Sequence, residues 1–226
     1  MAAGMKMSII IPVLNEAAVI GAALVSLAPL RARGHEVIVA DGGSEDATRA
    51  LAAPLADRVV VAPRGRSHQM NAGAASASGE ALLFLHADTR LPENADYAIA
   101  DALRKSNWGR FDVAIEGRST LLPMIACLMN LRSRLTGIAT GDQAMFVRRE
   151  AFAGFPAIAL MEDVAFSKAM KRRSPPGCLH EKVATSGRRW DEQGVWRTMI
   201  LMWRLRLGYF LGAAPDELAR RYVDKA

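Results

Sequence analysis

The chain has 226 residues, of which 51% are hydrophobic and 23% are charged, and its formal net charge is +6. This is the composition of a globular domain large enough to bury its own core, and it excludes fibrous and disordered classes. The positive charge favours phosphate-bearing partners, but the sequence has no zinc finger, basic zipper or RNA-binding aromatic motif. Nucleic acid is therefore not an expected partner.

Strands and helices alternate along the first half of the chain. The apolar runs predict strands at 8–13, 36–40, 58–62 and 81–85, and the segments between them predict helices at 16–27 and 67–78. A further helix is expected after Ser44, a good N-cap residue that is followed by two acids. Because the strands are apolar along their whole length, we expect a parallel sheet covered by helices on both faces.

The second half of the chain is less regular. Helices are expected at 93–105, 121–135, 163–171, 195–211 and 215–222, and strands at 111–116, 144–147 and 182–186. The two cysteines, Cys127 and Cys178, lie in apolar surroundings and are expected to be buried thiols of a reducing compartment.

The expected location follows from the start of the chain and from its hydropathy. Residues 1–6 run directly into a strand, without the charged and long apolar regions of a signal peptide. No stretch approaches the roughly 18 apolar residues that span a bilayer. We expect a cytoplasmic protein, with peripheral contact at the inner membrane face as an alternative.

Three carboxylates, Glu16, Asp41 and Asp88, lie at or just after the ends of predicted strands. Ligands of parallel sheets bind at the carboxyl ends of strands. Asp41 precedes two glycines that let a backbone approach closely, and its carboxylate can accept a hydrogen bond from a uracil ring. Asp88 is a hard oxygen ligand that can hold Mg²⁺ or Mn²⁺ between two phosphate groups. Taken singly, each could equally be a solvated loop acid or a helix cap.

Two further loops carry candidate ligand-binding residues. Arg64 and Arg66 flank Gly65 just before a predicted helix, a position that favours phosphate. The alternative for these arginines is a solvated basic loop. His86 either contacts a ligand or packs within its own loop.

Four segments of the first half resemble, in order and spacing, the donor-site motifs of glycosyltransferase family 2. These are residues 11–16, 41–48, 71–73 and 86–88. The resemblance continues through 141–143, 161–163 and 186–190, so that it covers nearly the whole chain. Within the family, the sequence is most similar to a small bacterial subgroup associated with arsenosugar biosynthesis.

The resemblance implies an α/β GT-A fold, with a mostly parallel Rossmann-like sheet flanked by helices and a helical C-terminal extension. It also implies a division of the chain. The catalytic domain would cover 1–190, with a donor half at 8–90 and an acceptor half at 91–190. The extension would cover 191–226.

The same resemblance implies an inverting glycosyltransferase that uses a nucleotide-sugar donor, with a UDP-sugar favoured, and a divalent cation, Mg²⁺ or Mn²⁺. The acceptor would be a small or lipid-linked hydroxyl compound. Asp88 is expected to bind the metal, and Asp163 is expected to act as the general base. The expected donor-binding residues are Pro12, Asn15, Glu16, Asp41, Gly43, Arg66, Asn71, Ala87 and Asp88. The expected acceptor-binding residues are Gly141, Asp142, Gln143, Glu162, Arg189 and Trp190.

Three positions depart from the family pattern. His86 replaces the usual first aspartate of the metal motif, which leaves one carboxylate there for the metal. Met70 stands where many relatives carry arginine, and Arg66, one turn earlier, is a substitute. Ser186 replaces the glutamine of the Q-x-x-R-W motif of processive synthases, which argues against polymer synthesis.

Two other functions fit part of the pattern. A sugar-phosphate nucleotidyltransferase would carry a Gly-rich first loop ending in arginine and a following lysine, whereas the first strand here ends in the segment 12–16. A non-catalytic protein that binds nucleotide sugars or docks on membranes would not need both Asp88 and Asp163.

The predicted helix at 195–211 is apolar almost all round. At 100° per residue Arg197 and Arg204 share one narrow stripe while Arg206 lies opposite, which is not the pattern of an amphipathic membrane helix. Its aromatic residues could pack in a homodimer or against the domain, lie at a membrane surface, or belong to the core.

Overall fold

The computed structural model describes residues 5–223, so the expected domain limits at 1 and 226 lie outside the described residues. The strands are β1 Met7–Val13, β2 Glu36–Asp41, β3 Arg58–Val61, β4 Ala81–Phe84, β5 Thr89–Arg90, β6 Trp108–Glu116, β7 Phe146–Arg148 and β8 Gly177–Ser186. The helices are α1 Ala17–Ser26, α2 Ala28–Ala32, α3 Thr48–Ala52, α4 Arg66–Ser76, α5 Ala95–Lys105, α6 Leu122–Thr136, α7 Glu162–Lys171, α8 Arg188–Gln193, α9 Val195–Phe210 and α10 Pro215–Val223. Short 3-10 turns cover Gly141–Gln143 and Arg149–Ala151.

The strands form one sheet in the order β3-β2-β1-β4-β7-β6-β8-β5. The strands of the first half, β3, β2, β1 and β4, pair in parallel. β7 is antiparallel to both β4 and β6, β8 is parallel to β6, and β5 is antiparallel to β8. The expected mostly parallel sheet is therefore confirmed, and β7 joins the two halves at its centre.

Helices cover both faces of the sheet, as the continuous apolar strands predicted. On β1, Ile9 and Ile11 pack in a cluster that includes residues of α1, α5 and α6. Ile10, between them, faces the opposite cluster with residues of α4 and α7. Successive side chains of a strand point to opposite faces, so one apolar run supplies both cores.

Two strands of the second half begin earlier than the sequence predicted, and β7 begins later, at Phe146 rather than at 144. β6 starts at Trp108 rather than at 111, and β8 starts at Gly177 rather than at 182. The first residues of β8 are half-buried or exposed, so they show no apolar alternation. A register shift between Arg110 and Asp112 further interrupts the pairing of the two strands.

Two local expectations were wrong. Ser44 does not cap a helix: its Oγ accepts a hydrogen bond from the Asn15 N–H at 2.9 Å, and α3 begins only at Thr48. The cysteines are not buried, since Cys127 is exposed on the outer face of α6 and Cys178 is half-buried at the start of β8.

Helix α9 has one buried and one exposed side. Thr198, Leu201 and Leu205 are buried, whereas Trp196 and Trp203 are exposed to solvent. Helix α9 is thus packed on one side only, where Leu218 of α10 joins its buried residues. Across residues 5–223, no helix combines the length and the apolar character needed to cross a membrane.

Candidate active site

A cavity of about 590 Å³ is lined by residues of both halves of the chain. This volume lies within the roughly 300–1,000 Å³ that is usual for small-molecule sites. Of the expected site residues, it is lined by Glu16, Arg66, Asp88, Gly141, Asp142, Glu162, Asp163, Arg189 and Trp190. An adjoining recess shares several of these residues and adds Pro12. The fold therefore brings residues from distant parts of the sequence to one place.

The loops that follow β1 and β2 are tied together by side-chain hydrogen bonds. Besides donating its backbone N–H to Ser44, Asn15 accepts a hydrogen bond from the Glu45 N–H at its Oδ1, at 2.9 Å. Asn15 has a φ of 55°, in the left-handed region that asparagine tolerates better than most residues. The two expected donor loops thus form one connected unit.

Asp41, the last residue of β2, has a fully buried carboxylate. Its Oδ2 accepts hydrogen bonds from the Gly43 and Ser44 N–H groups, each at 3.0 Å, whereas its Oδ1 has no partner among residues 5–223. Buried polar atoms are normally paired, and leaving one unpaired is costly. The unpaired oxygen is a candidate acceptor for an N–H of a ligand, although Asp41 lines neither the cavity nor the adjoining recess.

Glu16 and Asp88 lie close enough to influence each other electrostatically. Burial raises the pKa of Glu16 and the charge of Asp88 raises it further, while Arg188 and His86 oppose the shift. Asp88 is exposed, and its Oδ1 accepts a hydrogen bond from the Thr89 hydroxyl at 3.3 Å. A second carboxylate thus lies in the neighbourhood of the expected metal ligand.

The donor set at Asp88 fits a cation that is shared with a substrate. Within residues 5–223, no group of three or more histidine, cysteine, aspartate or glutamate residues could hold a metal ion alone. Mg²⁺, however, is commonly bound by one or two carboxylates together with substrate phosphates and water. Asp88 fits that second type of site, with the remaining ligands coming from a diphosphate.

His86 packs between the donor and acceptor loops. Its Nδ1 lies 3.4 Å from Asp142 Oδ1, and its Nε2 is buried without a hydrogen-bond partner in the described chain. A Cβ at Gly141 would lie only 2.5 Å from that Nε2, so glycine is required for the close approach. Burial raises the pKa of Asp142, but the hydrogen bond and charge of His86 outweigh this effect, so that the pKa is lowered.

Asp163 lies in the first turn of α7 and is held from two sides. Its Oδ2 accepts a hydrogen bond from the Gly141 N–H at 3.0 Å, and its Oδ1 accepts one from the Val164 N–H at 2.7 Å. The side chain is only partly buried and lines the cavity. The 3-10 turn at Gly141–Gln143 therefore fixes Asp163 where it can meet a ligand.

Glu162 differs from its neighbour in being buried. Only 4% of the residue is exposed, and its Oε1 lies 3.5 Å from Arg66 Nη1. Burial raises the pKa of Glu162 and the charge of Asp163 adds to this, while Arg66 opposes the shift. Glu162 thus connects α7 to Arg66 at the start of α4.

Six expected site residues line neither the cavity nor the adjoining recess: Asn15, Asp41, Gly43, Asn71, Ala87 and Gln143. Three of them have clear structural roles. Asn71 holds the segment before α7 instead, since its amide bonds both the N–H and the carbonyl of Phe155, at 2.8 and 2.9 Å. Gln143 is fully buried and closes its own 3-10 turn by a capping box with Thr140. Ala87 packs in the core cluster beneath its loop. Their side chains position the site rather than face it.

Several residues that line the cavity were not expected at the site from the sequence. These are chiefly Arg132 and Met129 on α6 and Met202, Trp203 and Arg206 on α9. An arginine within an otherwise apolar helix, as at Arg132, is a signal that could have found part of this set. No sequence pattern indicated that α6 and α9 would close the cavity together.

Comparisons with known sequences relate this chain to glycosyltransferases. The family model described as Glycosyl transferase family 2 matches residues 8–153. A PGL/p-HBAD biosynthesis glycosyltransferase of Mycobacterium bovis is 44% identical over 93 residues, which is 38% of this chain and 36% of that protein. A relative of the same name from Mycobacterium tuberculosis matches to the same extent. The match thus spans about a third of the length of these relatives.

Solved structures show a likeness over more of the chain. Glucosyl-3-phosphoglycerate synthase from Mycobacterium tuberculosis, in complex with Mn²⁺, UDP and glucosyl-3-phosphoglycerate, has a TM-score of 0.59 at 21% identity and covers 81% of this chain and 71% of its own. The mannosyltransferase PcManGT from Pyrobaculum calidifontis, in complex with GDP-Man and Mn²⁺, has a TM-score of 0.63 at 18% identity and covers 98% and 70%. S. aureus TarS in complex with UDP-GlcNAc has a TM-score of 0.63 at 20% identity and covers 80% and 58%. At these identities the likeness establishes the GT-A fold.

Proposed function

Since the chain belongs to glycosyl transferase family 2, we propose that it transfers a sugar from a nucleoside-diphosphate sugar to a hydroxyl group, with inversion at the anomeric carbon. One observation carries this proposal: Asp88 of the first half and Asp163 of the second line the same cavity. Sugar transfer needs a site for the diphosphate and, on the opposite side of the reacting carbon, a base for the acceptor.

The favoured donor is a UDP-sugar, and Asp41 supports this choice. Its unpartnered Oδ1 would accept the N3–H of uracil, and the connected loops carrying Asn15 and Gly43 would flank the base. Arg66, which is half-exposed in the cavity, would contact the diphosphate. The complexes of related folds contain UDP, UDP-GlcNAc or GDP-Man, which agrees with a nucleotide-sugar donor.

A divalent cation would be held by Asp88 together with the diphosphate. When bound, Mg²⁺ or Mn²⁺ neutralises the charge that develops on the leaving diphosphate. Glu16 lies close to Asp88 and adds negative charge on the protein side. The presence of Mn²⁺ in complexes of two related folds supports this assignment.

Asp163 is the proposed general base. It would take the proton from the acceptor hydroxyl as that oxygen attacks the anomeric carbon and the bond to the diphosphate oxygen breaks. The hydrogen bond from Gly141 fixes the carboxylate, and its partial exposure leaves it accessible to a substrate. Glu162, being buried and close to Arg66, would maintain the electrostatics of the site rather than contact the proton.

The acceptor would enter between two segments of the cavity wall. One is the loop that carries Gly141 and Asp142, and the other carries Arg189 and Trp190. Arg189 is fixed by stacking on Tyr222, with its guanidinium carbon 4.2 Å from the ring centre. Trp190 lines the cavity and offers an aromatic surface. Membership of the arsenosugar subgroup remains a prediction, because the curated relatives described above are named for PGL/p-HBAD biosynthesis.

The two rival functions are supported less well. Among residues 5–223, no lysine lines the cavity, although a sugar-phosphate nucleotidyltransferase would carry one. A binding protein without activity would not require a carboxylate fixed as Asp163 is. Neither rival accounts for the joint placement of Asp88 and Asp163.

The exposed apolar residues of α6 and α9 support a lipid-linked acceptor and contact with an anionic membrane surface. Both helices expose large apolar residues at alternating spacings of four and three, and neither helix contains aspartate or glutamate. The exposed residues are Met124, Leu128, Leu131 and Leu135 on α6, and Trp196, Ile200, Trp203, Leu207 and Phe210 on α9. We call this set the apolar face. It reaches the cavity at Leu128 and Trp203, and the adjacent exposed Arg197 favours anionic lipid.

Calorimetric titration with UDP, with and without Mn²⁺, tests the donor site. We expect UDP to bind more tightly with Mn²⁺, and we expect Asp88→Asn to abolish this difference while weak metal-free binding persists. The exposed Asp101 on α5 provides the control, because Asp101→Asn should leave both titrations unchanged. If no nucleoside diphosphate binds under either condition, the proposed function is wrong.

A further inference from the structure

Arg132 on α6 is a half-buried cation that the proposed reaction does not use. Its Nε and Nη2 atoms are buried and have no hydrogen-bond partner among residues 5–223. No carboxylate of that part of the chain lies within ion-pair distance of it, and the residue lines the cavity. Buried charges are normally paired, so an unpaired guanidinium facing a cavity indicates a missing anion.

The surroundings of Arg132 strengthen this indication. Burial and the nearby positive charge of Arg206 together lower the pKa of Arg132 to about 10, while Asp163 opposes the shift. The side chain therefore remains a cation at neutral pH. Two unpaired cations that repel each other are together a favourable site for a negatively charged group.

Arg206 on α9 is the second cation of this pair. It is half-buried, lines the same cavity and forms no ion pair within the described chain. The other arginines that line the cavity are paired, stacked or exposed. Arg66 pairs with Glu162, Arg189 stacks on Tyr222, and Arg188 is exposed to solvent. Asp163 and Asp142 act on Arg132 and Arg206 only through charge, without an ion pair. Arg132 and Arg206 are thus left for a ligand.

The position of the pair points to the acceptor rather than to the donor. Both arginines belong to helices of the second half. The charge of Asp163 raises the pKa of Arg132, whereas Asp88 is not among the groups that shift it. An anion held by Arg132 would therefore lie near the proposed base. A phosphate monoester carries a charge of about −1.5 to −2 at neutral pH. Two cations match this charge better than they match the single charge of a carboxylate.

We propose that Arg132 and Arg206 form a phosphate-binding subsite that holds a phosphate group of the acceptor while its hydroxyl reaches Asp163. The role of this subsite in holding the acceptor rests on the proposed glycosyl transfer, whereas the binding of phosphate to the two arginines does not. The guanidinium groups would each donate two N–H groups to phosphate oxygens. The phosphate could belong to a small soluble acceptor or to a lipid headgroup.

The test is a titration with inorganic phosphate, by calorimetry, of protein saturated with UDP and Mn²⁺ and of nucleotide-free protein. We expect saturable binding in the UDP-loaded protein. Arg132→Met and Arg206→Met should each weaken it by at least about tenfold while leaving the affinity for UDP unchanged. Arg204→Met is the matched control, because Arg204 is exposed on the same helix and does not line the cavity, and should bind phosphate as the wild type does.

A second titration distinguishes the two sources of phosphate. Glycerol 3-phosphate and dihexanoyl phosphatidic acid present the same monoester, the latter with short acyl chains. Equal affinity supports a soluble acceptor and tighter binding of the lipid supports a headgroup, and in both cases the affinity should fall in Arg132→Met.

The proposal is overturned if phosphate fails to bind to the UDP-loaded protein, if Arg204→Met loses as much affinity as Arg206→Met, or if the Arg132 and Arg206 variants lose UDP affinity in parallel. The last result would assign the pair to the donor. If UDP itself does not bind, the proposed function fails, and the nucleotide-free titration still decides the subsite. Circular dichroism checks that each variant is folded.

Discussion

Glu162 and Asp163 are adjacent carboxylates in different environments, and this difference gives them different properties. Asp163 is partly exposed and accepts two backbone hydrogen bonds, whereas Glu162 is buried and its pKa is raised. A carboxyl whose pKa is raised on folding favours the native state below its ordinary value of 4.5. That contribution is lost as the pH rises through its pKa in the folded protein.

The first prediction concerns the pH dependence of stability. In Glu162→Gln, no charge has to be buried, so the variant should be more stable than the wild type at neutral pH. The difference in free energy of unfolding should be near zero below pH 4.5 and should grow as the pH rises, by about 1.4 kcal/mol for each unit of pKa shift. Urea denaturation at several pH values measures it.

The control for this prediction is Glu150→Gln, which changes an exposed carboxyl outside the cavity. It should leave the pH profile of stability unchanged. A pH-independent difference between Glu162→Gln and the wild type would contradict the role given to burial.

Sequence could predict some site residues and not others, for a physical reason. Asp41, Asp88 and Glu16 follow apolar strands, so their location at strand ends can be deduced from local pattern. The contact of Gly141 with Asp163 joins residues 22 positions apart through an irregular turn. The isolation of Arg132 depends on what α9 and α7 place around it. Neither can be deduced from local pattern.

At the scale of elements, the contact of α4 with β1 sets the position of the donor side. Gly73 on α4 lies against Ile10, so closely that a Cβ at position 73 would be 2.4 Å from Ile10 Cγ2. The absence of a side chain lets the helix approach the sheet. Its first residue, Arg66, is thereby held at the cavity.

Gly73→Ala should therefore destabilise the protein. Overpacking of a core contact costs about 1–3 kcal/mol, which exceeds the gain of about 1 kcal/mol from the better helix propensity of alanine. Thermal or urea denaturation should show a net loss of up to about 2 kcal/mol.

Gly21→Ala on α1 is the matched control, since a Cβ there would meet no atom within 4 Å. Only the propensity gain applies at this position, and stability should rise by up to about 1 kcal/mol. An equal response of Gly21→Ala and Gly73→Ala would refute the packing argument.

Strands β1, β2 and β4 were predictable because each is buried on both faces and reads as one apolar run, whereas β3, at the edge of the sheet, is apolar but half-exposed. The early part of β8 was not predictable, since its residues are half-exposed and show no pattern. Helix α9 appeared apolar all round in sequence. Only the packing of Leu201 and Leu205 reveals which side is buried and which side is the apolar face.

At the scale of the whole molecule, the apolar face predicts binding to anionic membranes. The protein should float with vesicles containing phosphatidylglycerol and should bind phosphatidylcholine vesicles more weakly. Replacing Trp196, Ile200 and Leu207 together by serine should lower the binding at least about tenfold, because each large side chain contributes roughly 1.5–3 kcal/mol when buried.

Tyr97→Ser provides the control, because Tyr97 is an exposed aromatic residue on α5, outside the apolar face. It should float as the wild type does. If the protein fails to float but forms a dimer that the triple variant disrupts, the apolar face is an interface between two copies and the membrane assignment is wrong.

The central claim is that Asp88 and Asp163 serve one glycosyl transfer. It is tested most directly by following nucleoside-diphosphate release from UDP-, GDP- and dTDP-sugars with Mn²⁺ and a panel of hydroxyl acceptors. We predict release of nucleoside diphosphate from at least one donor, with UDP-sugars favoured, and faster release when an acceptor is present. In Asp163→Asn the rate of release should fall by about 10²–10⁴-fold while UDP binding is unchanged. Absence of release from every donor, or full turnover by Asp163→Asn, would contradict it.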